Sequence, residues 1–344
     1  MKSRRIELVA RPDGIPELEQ FRLVDVDLPE LEDGQILVKN LAMSVDPYMR
    51  RSMDAVATDM EPWPIKAALD GPAIGRVVES KNPQYSVDDL VESMSGWQEH
   101  FVSDGDEFIA YISSNTAIVK RELAGSLKPK DYLSLLGVAS QTAYFGLMCG
   151  ADMLAGETVV ISSGAGTVGS IGCQIAKING MRVISSAGSR EKVAWLLNDI
   201  GVDEAFNYKE RAIGDALEQA CPNGIDLVLE NASPEHFSAC LPLMNEMKTL
   251  LIAGMVGIYS SGGKVKNIDN FEYVLDSFLR IKSYPFMEFL DSYDKFVADM
   301  TNWHDEGKLV VKETMFDGLQ AAPEALRSLF DGNSFGKVLV KLAD

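Results

Sequence analysis

The run Val159-Val160-Ile161-Ser162-Ser163-Gly164-Ala165-Gly166-Thr167-Val168-Gly169 carries the residues best suited to chemistry. Apolar residues rise into a glycine cluster, and a helical pattern follows at once. A strand, a tight turn and a helix N-terminus in that order hold the pyrophosphate of a dinucleotide. Gly164 and Gly166 are expected to turn the backbone sharply and leave room for a phosphate, and Gly169 to let the new helix lie close to the sheet. The unpaired N–H groups of the first helical turn then favour an anion. A NAD site usually places Asp or Glu about 20 residues further on, against the adenosine ribose. Here that place reads Ala187-Gly188-Ser189-Arg190-Glu191-Lys192. The strand tip has no acid, Gly188 leaves space, and two cations, Arg190 and Lys192, stand nearby. A phosphate carries about two negative charges. This pattern therefore favours NADPH over NADH. The bland alternative is that Arg190 and Lys192 only form a solvated helix start.

Metal chemistry is poorly served. Zinc-dependent alcohol oxidation needs three protein ligands and an open position. The histidines are His100, His236 and His304, and the cysteines are Cys149, Cys173, Cys221 and Cys240, widely and irregularly spaced. No metal site is expected, and no disulfide framework. His100 reads as a strand residue, and His236 and His304 as ordinary helix residues.

The glycine turn sits in a βαβ unit. Val168, Ile171, Ile175 and Ile178 mark one buried helix face, Gly180 ends that helix, and Met181–Ala187 reads as the next strand. Helix-like runs at Tyr132–Leu136 and Ala143–Met148 precede it. Lys192–Asp199 reads as helix, and Ala205–Tyr208, Ile225–Asn231 and Thr249–Gly254 as strands. This alternation predicts a parallel, doubly wound α/β sheet. Before it come short apolar runs at Ile6–Ala10, Phe21–Val26, Ile36–Leu41, Ala73–Glu79, Gln98–Val102 and Phe108–Ile112, separated by turn residues, which predict a small β barrel or sandwich. Residues 52–69 read as a long loop. The tail offers a strand at Val310–Phe316, a helix at Pro323–Phe330 and a closing strand at Lys337–Leu342.

The 344 residues carry a net charge of −19, which argues against general binding to nucleic acid or an anionic membrane. No run of about 18 apolar residues suggests a membrane span. The first residues lack the apolar stretch of a signal peptide, so a cytoplasmic location is the expectation.

Several segments together resemble the medium-chain dehydrogenase/reductase superfamily. The most specific is Ser44-Val45-Asp46-Pro47-Tyr48-Met49-Arg50. Others are Thr142–Leu147, Gly166-Thr167-Val168-Gly169, Gly188–Lys192, Phe206–Lys209, Gly254–Tyr259, Glu306–Leu309, Pro323–Leu326 and Gly336-Lys337. Within the superfamily the chain is similar to the zinc-independent branch of leukotriene B4 12-hydroxydehydrogenase/prostaglandin reductase, plant alkenal double-bond reductases and bacterial NADPH-dependent curcumin reductase. The resemblance runs over nearly the whole length. It implies a GroES-like β-rich domain from residues 1–128, to which 304–344 return, around a Rossmann NADPH-binding domain at 129–303.

The resemblance also implies roles. Gly166, Thr167, Val168 and Gly169 form the pyrophosphate turn. Lys192 and Tyr208, beside Gly188, hold the 2′-phosphate. Thr142 and Asn231 lie beside the cofactor. Tyr259 sits near the nicotinamide ribose and the substrate carbonyl, and Tyr48 on the active-site wall. Ser334 takes a cofactor-side position where the family has asparagine. Other departures are Ser163-Gly164-Ala165 in the turn, Ala139-Ser140 before Thr142, Glu230-Asn231-Ala232-Ser233 after a strand, and Val256–Ser260. They put substrate range in doubt more than cofactor binding.

The implied reaction is hydride transfer from NADPH to the β-carbon of an α,β-unsaturated aldehyde or ketone, then protonation at the α-carbon. Without metal, hydrogen bonds must stabilise the charge developing on the carbonyl oxygen. Tyr259 and Tyr48 are the catalytic candidates. The alternative is that Tyr259 only packs on the cofactor. Trp63 and Tyr284 could line an apolar cleft, though such aromatics more often belong to the core. An NADPH quinone reductase of the same superfamily and a non-catalytic NADPH-binding protein are the alternatives. The superfamily favours a homodimer.

Overall fold

A computed structural model describes residues 1–56, 61–106, 118–122, 125–259, 264–265 and 267–343. Two compact units form. One comprises Met1–Ser134 and Glu313–Asp344, the other Leu135–Lys312. The boundaries expected at 128/129 and 303/304 therefore move to 134/135 and 312/313.

The first unit is β-rich. β1 (Lys2–Leu8) and β2 (Phe21–Asp27) make an antiparallel ribbon. A seven-stranded sheet contains β3 (Ile36–Ser44), β4 (Ala73–Ser80), β5 (Leu90–Ser93), β6 (His100–Ser103), β7 (Ile118–Arg121), β14 (Glu313–Asp317) and β15 (Lys337–Lys341). Its order is β14-β15-β3-β4-β5-β7, with β6 also on β3. The tail strand β15 is thus internal. It pairs parallel with β14 and antiparallel with β3, and Val338, Leu339 and Val340 are buried. Irregularities between β3 and β4 at Leu37/Val38 and Asn40/Ala42 bend the sheet. Two helices join this unit: α1 (Met49–Ser52) and α10 (Ala322–Asp331), the latter with Pro323 in its first turn. Met43, Trp63, Trp97, Leu326 and Val340 share one core.

The second unit is α/β. β8 (Thr158–Ile161), β9 (Arg182–Ala187), β10 (Glu204–Asn207), β11 (Ile225–Glu230), β12 (Met244–Ile252) and β13 (Arg280–Ser283) form a wholly parallel sheet in the order β10-β9-β8-β11-β12-β13. That is the doubly wound dinucleotide order, whose reversal lies between β8 and β11. All four residues of β8 are buried, as expected of a central parallel strand. The helices are α2 (Val138–Met148), α3 (Thr167–Ile178), α4 (Arg190–Trp195), α5 (Ile213–Ala220), α6 (Pro234–Cys240), α7 (Val256–Tyr259), α8 (Glu272–Asp276) and α9 (Tyr293–Asp305).

Several expectations need correction. The first strand starts at Lys2, not Ile6, and the tail strand begins at Glu313, not Val310. Residues 129–132 form a short 3-10 turn, and the helix starts at Val138. The run Phe108–Ile112 and part of the 52–69 loop lie outside the described residues. Trp63, in that loop, is buried against Trp97 in the core.

Candidate cofactor-binding and active site

At the carboxyl end of β8 the sharp turn is made by Ser163, with φ of +52°, and not by a glycine. The glycines do different work. A Cβ on Gly164 would lie 2.0 Å from Ser185 Oγ, and one on Gly169 would lie 2.3 Å from the Ser163 carbonyl oxygen. Both therefore allow close packing of turn, helix and sheet. A Cβ on Gly166 would meet nothing nearer than 3.4 Å. Gly166 is also the N-cap of α3, and no side chain caps that helix. The first-turn N–H groups of Thr167, Val168 and Gly169 are left for an outside acceptor, and the helix dipole favours an anion there.

The tip of β9 carries the second feature. Ala187 is buried and no acid follows it before Glu191. A Cβ on Gly188 would lie 2.8 Å from the Tyr208 hydroxyl and 3.3 Å from Lys209 Cε. Tyr208 and Lys209 thus fold over the strand tip. Ser189 caps α4 by accepting from the Lys192 amide at 3.3 Å, which sets Lys192 in the first turn. Arg190 is committed elsewhere: its Nε donates to Glu210 at 2.8 Å on the exposed surface.

Asn231 follows β11. Its amide and that of Ala232 both donate to Ser162 Oγ, at 2.7 and 3.1 Å, and its Nδ2 donates to the Ser162 carbonyl at 3.2 Å. Its carbonyl accepts from the Val256 amide at 3.2 Å, so it anchors the start of α7. Tyr259 ends α7, and its hydroxyl lies 3.1 Å from where a Cβ of Gly254 would be. On α2, Thr142 Oγ1 donates to the Val138 carbonyl at 2.9 Å, and the Thr142 carbonyl accepts from Tyr284 at 2.8 Å. Tyr284 is therefore packed against α2 and Gly146, where a Cβ would lie 2.1 Å from its hydroxyl. Burial raises the pKa of Tyr284.

Tyr48 and Ser334 belong to the β-rich unit. Tyr48 precedes α1. Its hydroxyl oxygen is buried and has no hydrogen-bond partner among the described residues. Burial first, then the neighbouring carboxylates Asp46 and Asp70, push its pKa well above 10.0. It stays a neutral donor. Ser334 follows α10, and its amide donates to the Ser328 carbonyl at 3.2 Å.

Residues 4–111 match the family described as the N-terminal domain of oxidoreductase, and residues 167–292 the one described as zinc-binding dehydrogenase. A putative NADP-dependent oxidoreductase, YfmJ, of Bacillus subtilis is 35% identical over 347 residues, covering 99% of this chain and 98% of that protein. The chain belongs to the medium-chain dehydrogenase/reductase superfamily. The NADPH-dependent curcumin reductase of Escherichia coli is 32% identical, covering 99% of this chain and 97% of that one. The crystal structure of CurA in complex with NADPH from Vibrio vulnificus superposes with a TM-score of 0.90 at 30% identity, each chain being covered to 99%. This places the chain in the curcumin-reductase-like branch of the superfamily. Despite the zinc-binding description, no group of three or more His, Cys, Asp or Glu among the described residues could hold a metal ion.

As a member of this superfamily the chain carries features that sequence reading missed. His236 is not an ordinary helix residue: it is buried between Glu230 and Ser186. Asp46 and Lys337, 291 positions apart, form a buried ion pair. Neither could be found from spacing, because the partners come from different elements. His100 opens β6 beside Ser3 at 3.3 Å, and His304 lies 3.3 Å from the Leu309 carbonyl.

Proposed function

We propose that this chain reduces the C=C bond of α,β-unsaturated aldehydes and ketones with NADPH. The observation that carries this reading is the uncapped start of α3, open at Gly166, on a chain similar along 99% of its length to a reductase named for NADPH and curcumin. The residues fit the cofactor: a Cβ at Gly164, Gly169 or Gly188 would collide with protein atoms, whereas Gly166 leaves space for a phosphate. Gly166, Thr167, Val168 and Gly169 would hold the pyrophosphate. Lys192 and Tyr208, over Gly188, would hold the 2′-phosphate. Thr142 and Asn231 would serve as further cofactor-side residues of the α/β unit, and Ser334 keeps its proposed cofactor-side role on the β-rich unit.

When bound, NADPH supplies a hydride to the β-carbon of the acceptor. As hydride adds at the β-carbon, the C=C π pair becomes the bond between α-carbon and carbonyl carbon and the C=O π pair moves onto oxygen. The α-carbon then takes a proton as the C=O bond re-forms, so one hydride and one proton are consumed. Tyr259 would orient ribose and carbonyl by its hydroxyl. Tyr48 would donate a hydrogen bond to a ligand oxygen as a neutral group, because burial first and then its carboxylate neighbours oppose ionisation. Solvent would give the final proton. The deciding experiment is a screen of NADPH oxidation with alkenals, enones and quinones. Turnover with enones at least about tenfold above quinones is expected, and the reverse ranking makes the chain a quinone reductase.

The chain is also proposed to form a homodimer through the α/β sheet. Among the described residues β13 is the outer strand, all four of its residues are exposed, and Phe271, Leu275 and Phe278 in the segment before it are exposed. A strand that is an edge among the described residues, with exposed apolar side chains close in sequence, suits a second copy. Light scattering at a monomer mass would reject it.

A further inference from the structure

A chain of buried polar contacts crosses the carboxyl end of the α/β sheet. Glu230, the last residue of β11, is wholly buried. Its Oε1 accepts from the Ala232 and Ser233 amides at 2.6 and 2.9 Å, and its Oε2 lies 2.9 Å from His236 Nδ1. Two backbone amides thus donate to this carboxylate, and in the tautomer with the ring proton on Nδ1 the imidazole donates to it as well. Nε2 lies 3.1 Å from Ser186 Oγ, which donates to it in that tautomer. Ser186 lies on β9, and its carbonyl accepts from the Gly164 amide of the glycine turn at 2.8 Å. His236 and Ser186 are both buried.

The other end of this chain reaches α7. Glu230 fixes the Ala232 amide, and the Ala232 carbonyl accepts from the Gly257 amide at 2.9 Å. The Glu230 carbonyl itself accepts from Ala253 and Gly254 at 3.0 and 3.2 Å. A Cβ on Gly257 would lie 3.1 Å from the Ala232 carbonyl oxygen, so helix and loop are in close contact. Both links that start α7 thus depend on a loop whose amides are held by Glu230 and Ser162.

We propose that Glu230, His236 and Ser186 are positioning residues: they lock the loop after β11 and through it set the place of α7 and the Tyr259 hydroxyl. This rests on the role proposed above for Tyr259. A buried carboxylate held by three hydrogen-bond partners from the backbone and a second buried side chain rigidifies its surroundings. Displacing a reacting or orienting group by about 1 Å can cost about a hundredfold in rate.

Two measurements test it on the full-length protein. Amide hydrogen exchange of the unliganded chain is compared in wild type, His236→Leu and Ser186→Ala. Exchange of the Ala253–Tyr259 amides is expected to rise by about tenfold in His236→Leu and about threefold in Ser186→Ala, with the β8 amides unchanged. Unchanged exchange over 253–259 in a folded variant overturns the proposal. Should His236→Leu fail to fold, Ser186→Ala decides alone. The second measurement is a double-mutant cycle on enone turnover. His236→Leu is expected to lower kcat about tenfold with KM for NADPH within about twofold, and to have under about twofold effect when Tyr259 is already phenylalanine. Losses that multiply fully overturn positioning of Tyr259. Glu230→Gln, which keeps an acceptor for the backbone and can donate to Nδ1 once the ring changes tautomer, is expected to stay within about threefold of wild type in both readouts. If Tyr259→Phe alone leaves kcat unchanged, the Tyr259 reading fails, and exchange still decides whether the three residues hold α7.

Discussion

Lys337 Nζ lies 2.5 Å from Asp46 Oδ1, and both side chains are almost closed to solvent. Asp46 also accepts from Ser44 Oγ. The pair ties the closing strand β15 to the turn that carries Tyr48. Removing one partner strands the other charge in the core. Lys337→Met is expected to destabilise the protein by about 3–5 kcal/mol, read by urea denaturation. A change within experimental scatter would mean that Asp46 finds water or another partner.

The Tyr48 hydroxyl has no hydrogen-bond partner among the described residues, which leads to an unusual expectation. A buried polar atom without a partner costs about 1–3 kcal/mol. Tyr48→Phe is therefore expected to raise unfolding stability by roughly 1 kcal/mol while lowering enone turnover about tenfold. The pH dependence follows from its raised pKa. An unfolded tyrosine loses its proton near pH 10, whereas folded Tyr48 keeps it. Above about pH 10 the folded state thus binds more protons, and stability falls as pH rises toward the folded pKa. Melting curves should show a shallower alkaline fall in Tyr48→Phe. Equal slopes would place the effect on other tyrosines such as Tyr144, whose pKa burial and Asp299 also raise.

The glycine turn, the alternation that follows it and the β-rich start were legible because each depends on local pattern. The parallel order of the sheet and the internal place of β15 were not, since pairing joins residues far apart in sequence. The left-handed residue of the turn was misjudged for a related reason. Glycine is the usual choice there, but Ser163 occupies it, and the glycines answer steric demands set by Ser185 and the Ser163 carbonyl. His236 looked ordinary because Glu230 and Ser186 reach it from two other elements. Spacing alone places Arg190 beside Lys192 at the strand tip and does not reveal its ion pair with Glu210, 20 residues away.

The contrast between two glycines separates packing from ligand binding. Gly169→Ala would press a methyl group against backbone atoms of Ser163 and Gly164. It is expected to lower stability by about 1–3 kcal/mol, measured by thermal or urea unfolding. Gly166→Ala meets no protein atom nearer than 3.4 Å, so the fold is expected to keep its melting temperature. Its methyl group would fill phosphate space, weakening NADPH by about tenfold or more in a fluorescence titration. Wild-type affinity in Gly166→Ala would remove the pyrophosphate from this turn.

The cation that reads the 2′-phosphate can be identified by comparing three side chains at one strand tip. Ser189 fixes the first turn of α4 and with it Lys192, and Tyr208 lies over Gly188. A hydrogen bond to a charged group contributes about 1.5–3 kcal/mol. Lys192→Ala is therefore expected to raise the Kd for NADPH roughly tenfold to a hundredfold and leave that for NADH within about twofold. Tyr208→Phe removes a neutral donor and is expected to cost about threefold, again with NADPH alone. Arg190→Ala is expected to change neither Kd by more than about twofold, because its guanidinium is held at the surface by Glu210. Isothermal titration with both cofactors checks all three variants. Equal losses for NADPH and NADH in Lys192→Ala would reject the 2′-phosphate assignment, and a selective loss in Arg190→Ala would show that the Glu210 pair opens to the cofactor.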